Sequence, residues 1–344
     1  MKKYSSIDAL RAICAFFIVF IHIPVQGIIG DVFMPITRIA VPFFFMVSGF
    51  FLWNDNHKLL QSKILKQIKK IFALVVLSNL LFFLWDIIIN HKDIMTYLRN
   101  ISHFRTMAEF LFLNESPFGI HLWFLGALLY VLIIYYLLDR YNLNNKVKFL
   151  IPILLLTDLI FGKYSILIFN REFNYLFVRN FLFVGIPCFY LGNIIREKIE
   201  TNKQFKFNNN ILLSGCVIFS ITSILEKYLL VINNVNATRD QYISTTLLVI
   251  CVFMYLVQNP MIFKDKIIEQ IGNKYSLDIY IVHPIFIYLV NAIVKHLGNS
   301  VSTVYSFIAP IIIYFITLIF VMTYKYFMKT MKNTRRNIIT TNIQ

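Results

Sequence analysis

The stretch LRAICAFFIVFIH, residues 10–22, decides how this chain folds. Ten unbroken apolar residues separate Arg11 from His22, too long a run for the surface helix of a soluble domain. As a helix, the eleven-residue spacing is close to three full turns, so both polar side chains leave the same face, roughly 16 Å apart along the axis. Asp8 precedes Arg11 by three residues, a spacing at which the two can pair. The segment reads as a membrane helix with one polar stripe. Two accounts of that stripe stand at this level. One is an interfacial Asp–Arg pair plus a hydrogen-bonded core histidine; the other is a functional cation and a titratable imidazole on one wall.

The rest of the chain repeats the apolar signal. It is 58% hydrophobic and 15% charged, and its apolar residues fall in blocks of the roughly 18–25 residues that cross a bilayer. About ten spans are expected, near 8–27, 36–53, 71–89, 119–138, 149–162, 176–195, 211–232, 243–258, 277–296 and 305–327. More spans follow the first block and no small-residue cleavage site closes it, so it reads as a permanent helix. The fold class expected is an all-α polytopic transmembrane bundle: one membrane domain over 1–330, then a short basic and polar tail at 331–344. Cys14, Cys188, Cys216 and Cys251 lie inside apolar blocks with no metal-type spacing and read as apolar filler.

The net charge of +16 is mainly topological. With the N-terminus inside, the cytoplasmic segments collect about 22 of the 33 lysines and arginines, and the opposite loops about six. That asymmetry places both termini in the cytoplasm and argues against a nucleic-acid partner. The expected location is a cell membrane, crossed many times, with the lipid bilayer as a partner.

Ionisable residues inside a membrane cost about 2.5–3.5 kcal/mol each on insertion scales, so the few retained here merit separate reading. RIAVPFFFMVSGFFLW, residues 38–53, contains the small pair Ser48 and Gly49, where a second backbone or a slender ligand can come close. KILKQIKKIF, residues 63–72, clusters Lys63, Lys66, Lys69 and Lys70 at the inner entrance of the third span. Such a cluster holds phosphates, whether of anionic lipid or of a nucleotide-like cofactor. His121 and Trp123 open the fourth span near its outer end, where Trp123 also fits an interfacial aromatic belt. Arg179 comes early in the sixth span. Glu226 and Lys227 lie near the outer end of the seventh. Asp278 and His283 are expected in the cytoplasmic half of the ninth, where Pro284 breaks the backbone ladder.

Taken together, Arg11 and His22, VPFFFMVSGF at 41–50, HLWFL at 121–125 and SLDIYIVHP at 276–284 resemble the acyltransferase-3 family of integral membrane acyltransferases. The first two helices are also similar to the membrane domains of vancomycin-resistance serine racemases, members of that family. The resemblance covers essentially the whole chain. It implies an O-acyltransferase, usually an O-acetyltransferase, that moves an acyl group from cytoplasmic acyl-CoA to a hydroxyl of an extracytoplasmic glycan or cell-envelope acceptor in the bacterial plasma membrane. Acetyl-CoA is the expected donor, and no metal is expected.

Arg11 and His22 match the family's functional first-helix residues. Lys66, Lys69 and Lys70 stand where the family usually carries arginines, keeping the charge without the bidentate fork. On this reading Arg11 and the lysines hold the donor's phosphates, Ser48 and Gly49 pass its pantetheine arm, and His22 is the general base. His121, Trp123 and Arg179 line the acceptor side, with Asp8, Glu226 and His283 as further candidates. The competing class is a solute or glycan transporter, proton-coupled through buried Asp, Glu and His.

Overall fold

The computed structural model describes residues 3–202, 204–237 and 240–341, without the side chains from 335 onward. Two compact units share the chain: one takes the segment up to Thr37 and that from Asn259 onward, the other takes Arg38–Gln258. The first unit begins with α1 (Ser5–His22) and α2 (Ile28–Thr37). The second supplies α3 (Ala40–Leu52), α4 (His57–Ile88), α5 (Ile94–Ile101), α6 (Phe104–Leu113), α7 (Trp123–Arg140) and α8 (Asn144–Lys148). It continues with α9 (Ile151–Phe161), α10 (Ser165–Phe169), α11 (Ile186–Thr201), α12 (Asn209–Ile232) and α13 (Ile243–Gln258). The first unit then resumes with α14 (Ile267–Leu297) and α15 (Asn299–Thr341).

The expected all-helical polytopic architecture is present, but the span count differs. Among the described residues, seven helical segments are long and apolar enough to cross a membrane, against about ten expected. Three expected spans come out short or broken. The 149–162 block folds as α9, only 11 residues long, and the 243–258 block as α13, 16 residues long. The 176–195 block is interrupted at Asn180, whose extended backbone (φ −146°, ψ −175°) stops one turn while its side chain accepts from the N–H groups of Leu182 and Phe183. A π-turn at Phe181–Gly185 follows, then α11 with Pro187 in its first turn. An asparagine that caps a helix start is a polar interruption that apolar counting passes over.

In the second unit, α3 and α11 cross at backbone contact. A Cβ on Gly49 would lie 1.9 Å from the carbonyl oxygen of Phe189, and one on Gly192 would lie 1.9 Å from that of Met46. The two glycines thus let the helices approach as small residues do at membrane helix interfaces. The space expected beside Ser48 and Gly49 for a donor arm is filled by this crossing, and the Ser48 hydroxyl turns back to the Phe44 carbonyl at 2.9 Å. The physical reason is long-range: Gly49 meets the Phe189 carbonyl of α11 and Gly192 meets the Met46 carbonyl of α3, a match that a single sequence window cannot reveal. Gly49→Ala is expected to push backbone against backbone and cost about 1–3 kcal/mol. Thermal unfolding in detergent checks this, and an unchanged midpoint would show that the crossing has room to spare.

α12 has only 11% of its apolar window buried, and α4 only 22%. Ile211, Val217, Ile218, Ile221 and Leu225 of α12 are all exposed, which suits a helix whose outer face meets lipid. In the first unit the apolar core is drawn from three helices: Ala15 and Val19 of α1, Ile279 of α14, and Ile313, Tyr314 and Leu318 of α15.

Candidate functional site

In the first unit, α1 and α14 run side by side in the same direction. Gly272 makes this possible, because a Cβ there would sit 1.7 Å from the Asp8 carbonyl oxygen. Glu269, in the first turn of α14, accepts from the Ser5 hydroxyl at 2.9 Å and pairs with Lys3 at 2.5 Å. One turn further along, Asp8 pairs with Arg11 at 2.6 Å and accepts from the Asn273 amide at 3.0 Å. The i,i+3 pair read from the sequence therefore forms, and a residue of α14 that the sequence reading missed completes it. Tyr314 of α15 donates to the Ala12 carbonyl at 3.2 Å and packs edge-on against Phe16, fixing the middle of α1.

His22 closes α1 and is exposed, whereas His283 is fully buried. Their ring centroids lie 5.1 Å apart. This corrects the expected depth of His283. The apolar pattern puts the start of the ninth span at 277, because Glu269, Gln270, Asn273 and Lys274 look like loop residues. The structure starts α14 at Ile267, since Glu269 and Asn273 are spent on α1 contacts rather than on water. His283 accordingly lies midway along a 31-residue helix, level with His22.

In the second unit, α4 carries the lysine cluster. Asn56 caps its start by accepting from Leu59 N–H at 3.1 Å. Asp139, buried at the end of α7, takes His57 Nδ1 at 3.0 Å and the Gln61 amide at 3.2 Å, which anchors the basic segment. Lys66, Lys69 and Lys70 are exposed and pair with no carboxylate among the described residues. Uncommitted ammonium groups of this kind fit a polyanion.

The Trp123 region is held by the loop before it. Ser116 donates to Asn79 of α4 at 2.7 Å, and Asn114 accepts from Phe181 N–H at 3.2 Å. Trp123 then begins α7 and packs against Phe45, while His121 is buried edge-on to Phe82. Arg179 lies 5.4 Å from the Trp123 ring centroid and 4.4 Å from that of Tyr175. Glu115, absent from the sequence-derived set, takes Arg179 Nη2 at 3.1 Å and the Tyr175 hydroxyl at 3.0 Å. Burial lifts the Glu115 carboxyl above its ordinary pKa, against the pull of the arginine. The only signal for Glu115 was a lone acid in the loop NESPFG, which nothing in spacing distinguishes.

Two of the groups offered for proton coupling have evident structural duties. Glu226 accepts from the N–H groups of Ile243 and Ser244, each at 3.0 Å, and from the Ser244 hydroxyl. It thus caps the start of α13 from a neighbouring helix. Asp278 pairs with Lys325 at 2.5 Å. Glu226→Ala is expected to lower stability by about 0.5–2 kcal/mol, the range of a lost cap. Acyl transfer at a temperature where the variant is folded should be unchanged; a selective loss of transfer would give Glu226 a functional role.

A family model described as an acyltransferase domain matches residues 4–327, nearly the whole chain. No curated protein and no solved structure gives a match.

Proposed function

Because the chain belongs to the acyltransferase-3 family of membrane acyltransferases, we propose that it transfers an acyl group, acetyl by the family's habit, from cytoplasmic acyl-CoA to a hydroxyl of an extracytoplasmic glycan or other cell-envelope acceptor. The observation that carries the reading is the face of α1. It bears a cation held by Asp8 and, three turns on, an exposed imidazole beside a second histidine.

His22 is the general base. As the acceptor oxygen attacks the thioester carbonyl, a His22 nitrogen takes the hydroxyl proton. The tetrahedral intermediate then expels the CoA thiolate, which takes that proton from the imidazolium. Arg11 pairs with Asp8 through one guanidinium nitrogen, and its positive charge is what the donor's phosphates would meet on this face. In the second unit, Lys66, Lys69 and Lys70 present exposed cationic charge of the kind that donor phosphates take. His121 and Trp123 are buried, so their contribution to an acceptor site is to shape its wall, and for Trp123 to fix Arg179.

The test is direct. Purified protein in detergent, given acetyl-CoA and a candidate glycan, should release free CoA and acetylate the glycan. In cells, removing the protein should delete an acetyl increment from the envelope glycan spectrum. Glycan movement across vesicles without CoA release would replace this reading with a carrier.

A further inference from the structure

The dipeptide His283–Pro284 sits midway along α14, and its two residues are chemically coupled. In an unbroken helix the N–H of residue 284 donates to the carbonyl of Tyr280, but proline has no N–H to give. His283 Nδ1 lies 2.8 Å from that Tyr280 oxygen and 3.1 Å from the Ile279 oxygen. A carbonyl oxygen only accepts, so Nδ1 carries the hydrogen. In the neutral ring Nε2 then carries the lone pair. The proline therefore opens the acceptor that fixes the tautomer of the residue before it. Full burial of His283 holds the ring there, its Nε2 buried and making no hydrogen bond among the described residues, with its centroid 5.1 Å from that of exposed His22 and the planes tilted by 45°.

We propose that His283 is the positioning residue for His22: locked as the Nδ1–H tautomer by the carbonyl that Pro284 leaves open, it takes the N–H of His22 on Nε2 in the reacting complex and so keeps the other His22 nitrogen unprotonated for the acceptor hydroxyl. This rests on His22 being the base and adds the group that orients it, the role a third residue plays behind many catalytic bases. When His22 takes the hydroxyl proton, the positive charge is stabilised by the bond to His283 Nε2. That bond is not broken in the step, and the proton taken from the acceptor hydroxyl passes from the same His22 nitrogen to the CoA thiolate.

Two substitutions separate positioning from packing. Asparagine at 283 places an amide nitrogen where Nδ1 sits, so it keeps the Tyr280 contact and loses the Nε2 edge. Glutamine reaches instead toward the Nε2 position. With the full-length protein in detergent, His283→Asn should lower the unfolding midpoint through the smaller buried side chain, and at a temperature where it is folded should bind acyl-CoA normally. Its kcat should fall by roughly 10²-fold or more, the scale of a lost general-base contribution. His283→Gln should recover part of that loss. Nitrogen-15 spectra of histidine-labelled protein, with the His283 signal assigned by its absence in His283→Asn, should show Nδ1 protonated and Nε2 bare. Pro284→Ala gives the Tyr280 carbonyl a backbone donor and should move that signal toward a tautomer mixture, with a lower kcat at unchanged KM for acyl-CoA.

A wild-type kcat in His283→Asn, or a wild-type spectrum showing Nε2 protonated, overturns the inference while leaving the base assignment intact. An active His22→Ala would instead remove the base assignment, and the positioning role with it.

Discussion

His22→Ala is expected to lower acyl transfer by about 10²–10⁴-fold, the range that a positioned general base contributes, while acyl-CoA binding and the unfolding midpoint stay near wild type. Its position is what makes the separation clean. His22 is the last residue of α1, and α1 is already fixed upstream by Asp8, Ala12, Ala15 and Val19. An exposed side chain at a helix end takes little packing with it when truncated. His283 makes the contrast, since it is fully buried and its removal alters the core as well as the chemistry. Single-turnover transfer and equilibrium acyl-CoA binding, measured separately, resolve the two effects. Transfer at near wild-type rate in His22→Ala would end the assignment of His22 as base.

What the sequence made legible was whatever depends on local period. Ten apolar residues between Arg11 and His22 specify a helix, its polar face and the pairing of Asp8 with Arg11, and α1 has all three. The long apolar blocks likewise specify α4, α7, α12 and α15. Legibility failed wherever a polar residue is satisfied by a distant one. Glu269 and Asn273 look like loop residues because their partners, Ser5 and Asp8, lie more than 260 positions away. That displaced the start of α14 and with it the depth of His283. Asn180 looks neutral in a hydropathy window, yet its side chain ends one turn and begins another. Gly49 looks like an opening until the Phe189 backbone of α11 is brought against it. Glu226 looks like a buried carboxylate available for protons until the first turn of α13 is seen to occupy it. In each case hydrogen-bond satisfaction or close packing across long sequence separation overrode the local signal.

The Asp8–Arg11 pair allows stability and donor recognition to be measured apart. Asp8 is 6% exposed and carries Arg11 on one oxygen and Asn273 on the other. Asp8→Ala withdraws the carboxylate from a guanidinium whose side chain is only 25% exposed. Breaking a buried pair from one side costs about 3–5 kcal/mol, because an ion remains where water solvates it poorly. Arg11→Gln has the mirror-image effect, stranding the Asp8 carboxylate between α1 and α14. The double variant Asp8→Asn/Arg11→Gln removes both charges and leaves two amides that can bond each other and Asn273. Measured against the matching single variants, Asp8→Asn and Arg11→Gln, it should show a positive coupling of the size seen between contacting residues, about 0.5–3 kcal/mol. Acyl-CoA affinity should not follow. If the Arg11 charge holds the donor's phosphates, both variants lacking it bind acyl-CoA weakly however stable they are, while Asp8→Ala, kept folded at low temperature, still binds. Recovery of affinity together with stability in the double variant would reduce Arg11 to a partner of Asp8 and leave phosphate recognition to Lys66, Lys69 and Lys70.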